Sequence, residues 1–147
     1  MSTLELPALY VDSVALVVTT PRLVLVNRDP SPGESGVPID ATLALELVDT
    51  GPDGVERSTA RVWIDGVLAF DGSALPELAP AFAGPLASVT QTTDTLRVVL
   101  HPVAPLASLA TVHVRVLAQT VGGAASLDEV YSFVVEDRTA PRVVGAQ

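Results

Sequence analysis

The side chains best suited to catalysis are few in this sequence and widely spaced. Its 147 residues include two histidines, His101 and His113, and no cysteine. Each histidine falls on a predicted β-strand, and the sequence has no Gly-x-Ser-x-Gly turn that would present a nucleophilic serine. Nucleophilic catalysis needs a nucleophile, a base and an orienting acid in one place. Nothing selects a carboxylate pair for glycoside hydrolysis either. We therefore expect no enzyme activity and no catalytic residues.

Metal binding has equally little support. The two histidines do not form a His-x-His or His-Glu-x-x-His pattern, and thiolate ligands are absent. Calcium has better donors, in two acidic groups: Asp49, Asp53 and Glu56, and Asp128, Glu129 and Asp137. Neither group has the regular acidic spacing of an EF-hand loop. Asp and Gly commonly build turns, so we expect turns here, with no metal and no cofactor.

The charge excludes two classes of partner. The net charge is −9, and all eight basic residues are arginine. Such a chain is repelled by nucleic acid and by anionic membranes, and it has no basic stripe. Its best apolar run, from Val14 to Val18, is far shorter than the ~20 residues that span a bilayer. We expect protein partners, with no nucleic acid and no membrane.

The hydropathy indicates a folded chain with apolar surface to bury. Hydrophobic residues make up 48% and the mean hydropathy is +0.45, which excludes intrinsic disorder. A core rich in Val, Leu and Ala would explain this value, and so would burial against partner subunits. Residues 1–20 carry Glu5 and Asp12 and no basic residue. This start does not fit a secretory signal, which favours assembly in the cytoplasm.

Period-two alternation predicts β-strands through most of the chain. It is clearest in ATLALELV, DTLRVVLH, TVHVRVLAQ and VYSFVVE, and PRLVLVNR and DSVALVVT are further candidates. In WIDGVLAF, Asp65-Gly66 suits a two-residue hairpin turn between apolar flanks. About seven such strands predict an antiparallel β-sandwich. Trp63 could be an exposed aromatic that binds sugar, but we expect it in the core, as in other sandwiches.

One segment, residues 73–89, does not alternate. Its sequence, SALPELAPAFAGPLASV, contains three prolines that exclude a long helix. We expect a long apolar connection with one helical turn at most. Loops of this length are commonly functional or form packing surfaces. We therefore place Phe82 and Leu86 in a partner interface.

Three ordered pieces of sequence resemble the bacterial immunoglobulin-like domains of S-layer proteins, other surface proteins and phage tails. They are PRLVLVNRDPSPGESGVPIDATLALEL, LRVVLHPVAPLASLATVHVRVLA and YSFVVEDRTAP, and together they cover roughly 21–141. The resemblance implies an immunoglobulin-like antiparallel β-sandwich without catalytic activity. Members of this family serve as spacers, stalks and binding modules that are strung in tandem.

A short repeat predicts the domain boundaries. TTPRLVLVN near the front is echoed by TAPRVVGAQ at the back, with Pro21 and Pro141 about 120 positions apart, the size of a small domain. We expect an N-terminal arm or added strand at 1–20 and the sandwich at 21–138. Residues 139–147 would either begin a second repeat or add a closing strand. Within the arm, Val14 and Leu16 are candidate contacts to a neighbouring sheet edge.

These observations favour a non-catalytic structural component of a multi-subunit particle. The particle we expect is a phage virion or a phage-like tail, in which the chain contacts other protein subunits as a homo- or hetero-oligomer. The alternative is an adhesive module of a bacterial cell surface or S-layer that binds carbohydrate or calcium. The acidic N-terminus favours the first interpretation, and the family resemblance does not separate the two.

Overall fold

A computed structural model describes residues 22–138, which form a β-sandwich of eight strands. Two single-turn 3-10 helices, Pro80–Phe82 and Val121–Gly123, interrupt the loops. The strands are β1 (Leu23–Asp29), β2 (Leu43–Asp49), β3 (Val55–Ile64), β4 (Val67–Asp71), β5 (Ser88–Gln91), β6 (Thr95–Leu100), β7 (Thr111–Thr120) and β8 (Ser126–Val134).

The strands are divided equally between two antiparallel sheets. Sheet I has the order β1-β2-β6-β5, and sheet II has the order β4-β3-β7-β8. The prediction of an all-β antiparallel sandwich is confirmed. The number of strands is one more than the predicted seven or so, since the connection after β4 contributes the short strand β5.

The inner faces of the two sheets meet in one apolar core. On β7 the buried residues Val112, Val114 and Val116 alternate with exposed His113 and Arg115, as predicted. On β2 the predicted inward residues Leu43, Leu45 and Leu47 are buried, and the small Ala44 between them is buried as well. The largest fully buried side chains are Phe70 and Phe133, both from sheet II. Burial of each such side chain contributes about 2–3 kcal/mol, so this face-to-face contact is the main source of stability.

The predicted hairpin at Asp65-Gly66 is confirmed. Both residues have positive φ, 49° and 80°, and they join β3 to β4 through the pair Ile64↔Val67. A type I′ turn needs positive φ at both central positions, which Asp tolerates and Gly adopts freely. The turn places Val67 and Leu68 on the surface beside the end of β3.

Both outer edges of sheet II are covered by other segments of the chain. Residues 77–79 pair with β4, where the N–H of Asp71 donates to the carbonyl of Glu77 at 2.8 Å. Residues 33–37 pair with β8, where the N–H of Val134 donates to the carbonyl of Glu34 at 2.8 Å. Covering an edge removes the unpaired backbone groups through which sheets aggregate.

The 73–89 connection passes from sheet II to sheet I. After the turn at Pro80–Phe82, the carbonyls of Ala81 and Phe82 accept hydrogen bonds from the N–H groups of Val103 and His101, both at 2.9 Å. The single helical turn agrees with the prediction made from the prolines. The connection closes one side of the sandwich, because Leu78, Phe82 and Val89 pack against the core.

The two ends of the sandwich carry different loops. The proximal end comprises loops 50–54, 92–94 and 121–125, and the distal end comprises 64–67, 80–84 and 102–109. Arg22, the first described residue, contacts the proximal end, where its carbonyl accepts the N–H of Thr50 at 2.7 Å. The N–H of Arg138, the last described residue, donates to Ser108 Oγ at 2.7 Å at the distal end. The chain therefore enters and leaves the sandwich at opposite ends.

Several sequence-based predictions concern residues outside 22–138. They are the N-terminal arm at 1–20 with Val14 and Leu16, and the choice between a second repeat and a closing strand at 139–147. These predictions, and the domain boundaries drawn from them, stay predictions.

A glycine pair tests how tightly the proximal loops pack. Gly54 and Gly33 both have positive φ, but a Cβ on Gly54 would lie 2.7 Å from the carbonyl oxygen of Thr93. A Cβ on Gly33 meets nothing within 4 Å. We expect Gly54→Ala to lower the free energy of unfolding by roughly 1–3 kcal/mol more than Gly33→Ala. Urea denaturation measures both variants, and equal losses would contradict this packing.

Candidate functional site

The described residues bring no catalytic or metal-binding cluster together. His101 Nδ1 accepts a hydrogen bond from the N–H of Leu86 at 2.9 Å, so this imidazole holds the 84–87 turn. His113 lies on the exposed face of sheet II, 3.5 Å from Asp65. Within residues 22–138, no group of three His, Cys, Asp or Glu residues is placed to hold a metal ion.

The first acidic group proposed for calcium forms a turn. The Asp49 side chain is 1% exposed, and its carboxylate accepts the N–H groups of Gly51, Asp53 and Gly54 at 2.9, 3.0 and 2.6 Å. These hydrogen bonds, led by that of Gly51, and the charge of Arg22 hold the pKa of Asp49 below its usual value, against the opposing effect of burial. Asp53 binds Arg22 Nη2 at 2.5 Å.

Arginine side chains hold most of the other carboxylates in these groups. Asp128 accepts two hydrogen bonds from Arg115, at 3.0 and 2.8 Å, and Glu129 lies 3.7 Å from Arg28. Every arginine of residues 22–138 lies within ion-pair distance of a carboxylate: Arg22, Arg28, Arg57, Arg61, Arg97, Arg115 and Arg138. Such pairs contribute little stability at a surface, but they occupy oxygens that a cation would need.

The two predicted interface residues of the 73–89 connection differ in exposure. Phe82 is half-buried and packs against the core. Leu86 is 66% exposed and follows Pro85 in the turn that His101 fixes. Leu86 is therefore available to a partner, whereas Phe82 mainly completes the fold. The other two predicted contacts, Val14 and Leu16, lie outside the described residues.

An apolar groove of about 660 Å³ opens at the distal end. Hydrogen bonds from Val103 to Ala81 and from Leu106 to Ile39 hold its two walls, at 2.9 and 2.8 Å. Val67 and Val103 are 56% and 66% exposed at its rim. Its lining comes from three segments: Ile64, Asp65 and Val67; Pro80, Ala81 and Phe82; and Pro102, Val103, Ala104, Pro105, Leu106 and Ala107.

A second apolar groove, of about 430 Å³, adjoins the first and shares Pro80 with it. It is lined by Pro76, Glu77, Leu78, Pro80, Ala83 and Val89. Leu75, directly before this lining, is 96% exposed. We give the name distal apolar surface to the two grooves, together with the exposed Val67 and Val103 that line the first and the exposed Leu75 and Leu86 of the 73–89 connection, which lines both.

Trp63 lies on the outer face of sheet II, so the prediction of a core tryptophan was wrong. Val62 and Ile64 point into the core, which sends Trp63 outward. It is half-buried, paired with Leu68 on β4 and Arg115 on β7. The guanidinium of Arg115 stands 5.3 Å from the centre of the indole, a cation–π contact. The alternation of Ala60, Val62 and Ile64 was the sequence signal for this orientation.

Known proteins add no assignment to this geometry. No family model matches the chain, and no curated protein is significantly similar to it. Within the described residues, none of the helices has the length and apolar character needed to cross a bilayer.

Asp49 predicts a specific dependence of stability on pH. Its pKa is lower in the folded chain than about 3.9, the unfolded value. It therefore stabilises the fold fully above the unfolded pKa, and this contribution is lost as the pH falls through the lower, folded-state pKa. Asp49→Asn should lower the midpoint of thermal unfolding at pH 7, and the difference from the original chain should shrink below about pH 4.

Asp40, an exposed carboxylate in the loop between β1 and β2, supplies the matched control. Because its side chain is exposed, Asp40→Asn should change the midpoint at pH 7 much less than Asp49→Asn does. Differential scanning calorimetry from pH 7 downward measures all three chains. A constant gap between the original chain and Asp49→Asn at every pH would show that the carboxylate charge plays no part.

Proposed function

We propose that this protein is a non-catalytic immunoglobulin-like module of a multi-subunit particle, and that its distal apolar surface contacts a neighbouring protein subunit. The observation that carries the proposal is this surface itself. Of the eight large apolar side chains exposed in residues 22–138, it contains four: Val67, Leu75, Leu86 and Val103.

The strand order supports the immunoglobulin-like part of the proposal. In a constant-type immunoglobulin domain, strands A, B, E and D form one sheet and C, F and G form the other. In sheet I, the order β1-β2-β6-β5 corresponds to A-B-E-D. In sheet II, β3, β7 and β8 correspond to C, F and G, and β4 is an additional strand at the edge beside β3. This order is compatible with the immunoglobulin-like sandwich that the resemblance in the sequence implies.

The physical argument for a partner is the cost of leaving this surface in water. Monomeric proteins rarely expose large contiguous apolar patches, and those that exist commonly mark interaction sites. Burial contributes about 25 cal/mol per Å2 of apolar area, against the loss of rotational and translational freedom on association. A specific interface needs roughly 800 Å2 from each partner. The two adjoining grooves and their rim form a concave surface to begin such a contact.

The opposite positions of Arg22 and Arg138 support a stacked arrangement. A chain that enters at the proximal end and leaves at the distal end suits modules placed end to end. A subunit beneath the distal end would then meet the groove directly. The N-terminal arm, with Val14 and Leu16, is an apolar segment of this same chain that a neighbouring copy could supply.

The narrower proposal, taken from the sequence, is a phage virion or a phage-like tail. The partner in that case is another structural subunit, either a second copy or a different chain. Negative-stain electron microscopy and native mass spectrometry of material purified from producing cells test it. Particle-sized material that contains the chain supports the proposal. A clean monomer at micromolar concentration with no bound partner would sink it.

Substitutions on the distal apolar surface separate assembly from folding. Leu86 and Val103 are both 66% exposed, so Leu86→Asp and Val103→Asp should leave the fold intact. Each should lower the fraction of chain found in particle-sized material at least about 10-fold, because a carboxylate would be buried in the contact. Sedimentation of cell extracts measures that fraction, and circular dichroism checks the fold.

Val121 provides the matched control. It is 47% exposed at the proximal end, away from the proposed contact. Val121→Asp should assemble as the original chain does. If all three variants assemble equally well, the distal apolar surface does not form the proposed contact.

A further inference from the structure

We propose that the outer face of sheet II binds a second copy of this chain in a two-fold symmetric dimer. The inference goes beyond the assembly contact above, because it concerns a different face and rests on different residues. It starts from the pairing of β7 with β8, the two strands that form one side of this face.

Four residues form one cell of the β7–β8 ladder. Arg115 pairs with Val130, and Leu117 pairs with Asp128. All four side chains lie on the outer face, since their neighbours Val114, Val116, Leu127 and Tyr131 are buried. The charged residues therefore occupy one diagonal of the cell, and the apolar residues occupy the other.

This arrangement is self-complementary. A two-fold axis that lies in the interface, along the Leu117–Val130 diagonal, brings each of these apolar side chains against its own copy. The same axis places Arg115 over the partner's Asp128, and Asp128 over the partner's Arg115. The contact of Arg115 with the partner's Asp128 occurs twice across such an axis, whereas Leu117 and Val130 on the axis each meet their own copy once. One cell therefore supplies two ion pairs and two apolar contacts.

The side chains of the cell are accessible for such a contact. Val130 is 63% exposed, and the side chains of Arg115 and Asp128 are 50% and 49% exposed. The Arg115–Asp128 pair within one chain holds both groups in place. In the dimer each group gains a second partner of opposite charge, and the apolar pair shields the contact from water.

The charges on the outer face of sheet II favour the approach of a second copy more than the net charge of the chain does. Copies with a net charge of −9 repel one another. On the outer face of sheet II, however, Arg61 lies 3.6 Å from Asp71 and Arg115 binds Asp128. Besides Asp65, which lies beside His113, two basic groups thus lie next to two acidic groups on this face, so the repulsion of a second copy is reduced there.

Next to the cell, Trp63 extends the surface across the sheet. The row Leu68, Trp63, Arg115 and Val130 runs over all four strands. Trp and Arg are the residues that most often dominate binding energy at interfaces.

Four strands about 4.8 Å apart and up to ten residues long give a face of roughly 20 by 30 Å. This is the small end of specific interfaces, so we expect a dissociation constant of about 10–100 µM.

Charge-reversed variants test the predicted pairing. The full chain with Leu86→Asp and Val103→Asp serves as the parent, so that contacts through the distal apolar surface do not contribute. Sedimentation velocity should show a concentration-dependent monomer–dimer equilibrium. Adding Arg115→Asp or Asp128→Arg alone should weaken dimerisation at least about 10-fold, because like charges then face each other across the axis.

An equimolar mixture of the two charge-reversed variants should recover the dimer, since each then supplies the opposite charge at both crossings. Arg97→Asp, on the outer face of sheet I where Arg97 pairs with Glu46 at 3.0 Å, should dimerise as the parent does. Val130→Glu provides a second test at the axis itself and should abolish the dimer. Thermal melts show that each variant is folded.

Fluorescence of the single tryptophan shows whether a second copy of the chain or a glycan binds the outer face of sheet II. Emission from Trp63 should shift to shorter wavelength as the parent dimerises. The proposal is overturned if the parent stays monomeric at several hundred micromolar, about ten times the expected dissociation constant. It is also overturned if the single variants dimerise normally or if their mixture fails to recover the dimer. A response of Trp63 to oligosaccharides but not to protein concentration would assign this face to glycans instead.

Discussion

The alternation of side chains along each strand is the constraint on which the rest of this structure depends. Along most of the strands, each residue that enters the core sends the next one to the surface, and the core takes its members from all but the short strand β5. The burial of Val62 and Ile64 thus fixes Trp63 outside, and the burial of Val114 and Val116 fixes Arg115 beside it. The outer face of sheet II is therefore a by-product of core packing, and any function it has must use the residues left there.

The second constraint is that a sandwich of two sheets is open along its sides. The 73–89 connection closes one side by pairing with β4 and then with the chain after β6. Phe82 packs against the core, and the prolines of the segment exclude a long helix there. The distal apolar surface exists because this one segment both seals the core and leaves Leu75 and Leu86 in water.

The acidic character of the chain has a structural explanation that reduces the case for metal binding. The carboxylate of Asp49 accepts hydrogen bonds from three backbone N–H groups. Every described arginine has a carboxylate neighbour. Arginine suits this role because its planar fork binds a carboxylate with two parallel hydrogen bonds, as Arg115 does with Asp128. Four of the six acids considered for calcium are parts of a turn or of ion pairs: Asp49, Asp53, Asp128 and Glu129.

The sequence by itself determined the local features, because they depend on neighbours along the chain. Alternation in TVHVRVLAQ and ATLALELV predicted β7 and β2 with their buried faces, and Asp65-Gly66 predicted its turn. The alternation around Trp63 carried its orientation as well, although analogy with other sandwiches pointed the other way. Only the tertiary structure decided which segments cover the edges of sheet II, that Phe82 faces the core while Leu86 does not, and that Arg115 meets Asp128. The first two outcomes depend on how the segments and sheets pack, which no local pattern encodes, whereas the Arg115–Asp128 pair depends on the register between β7 and β8.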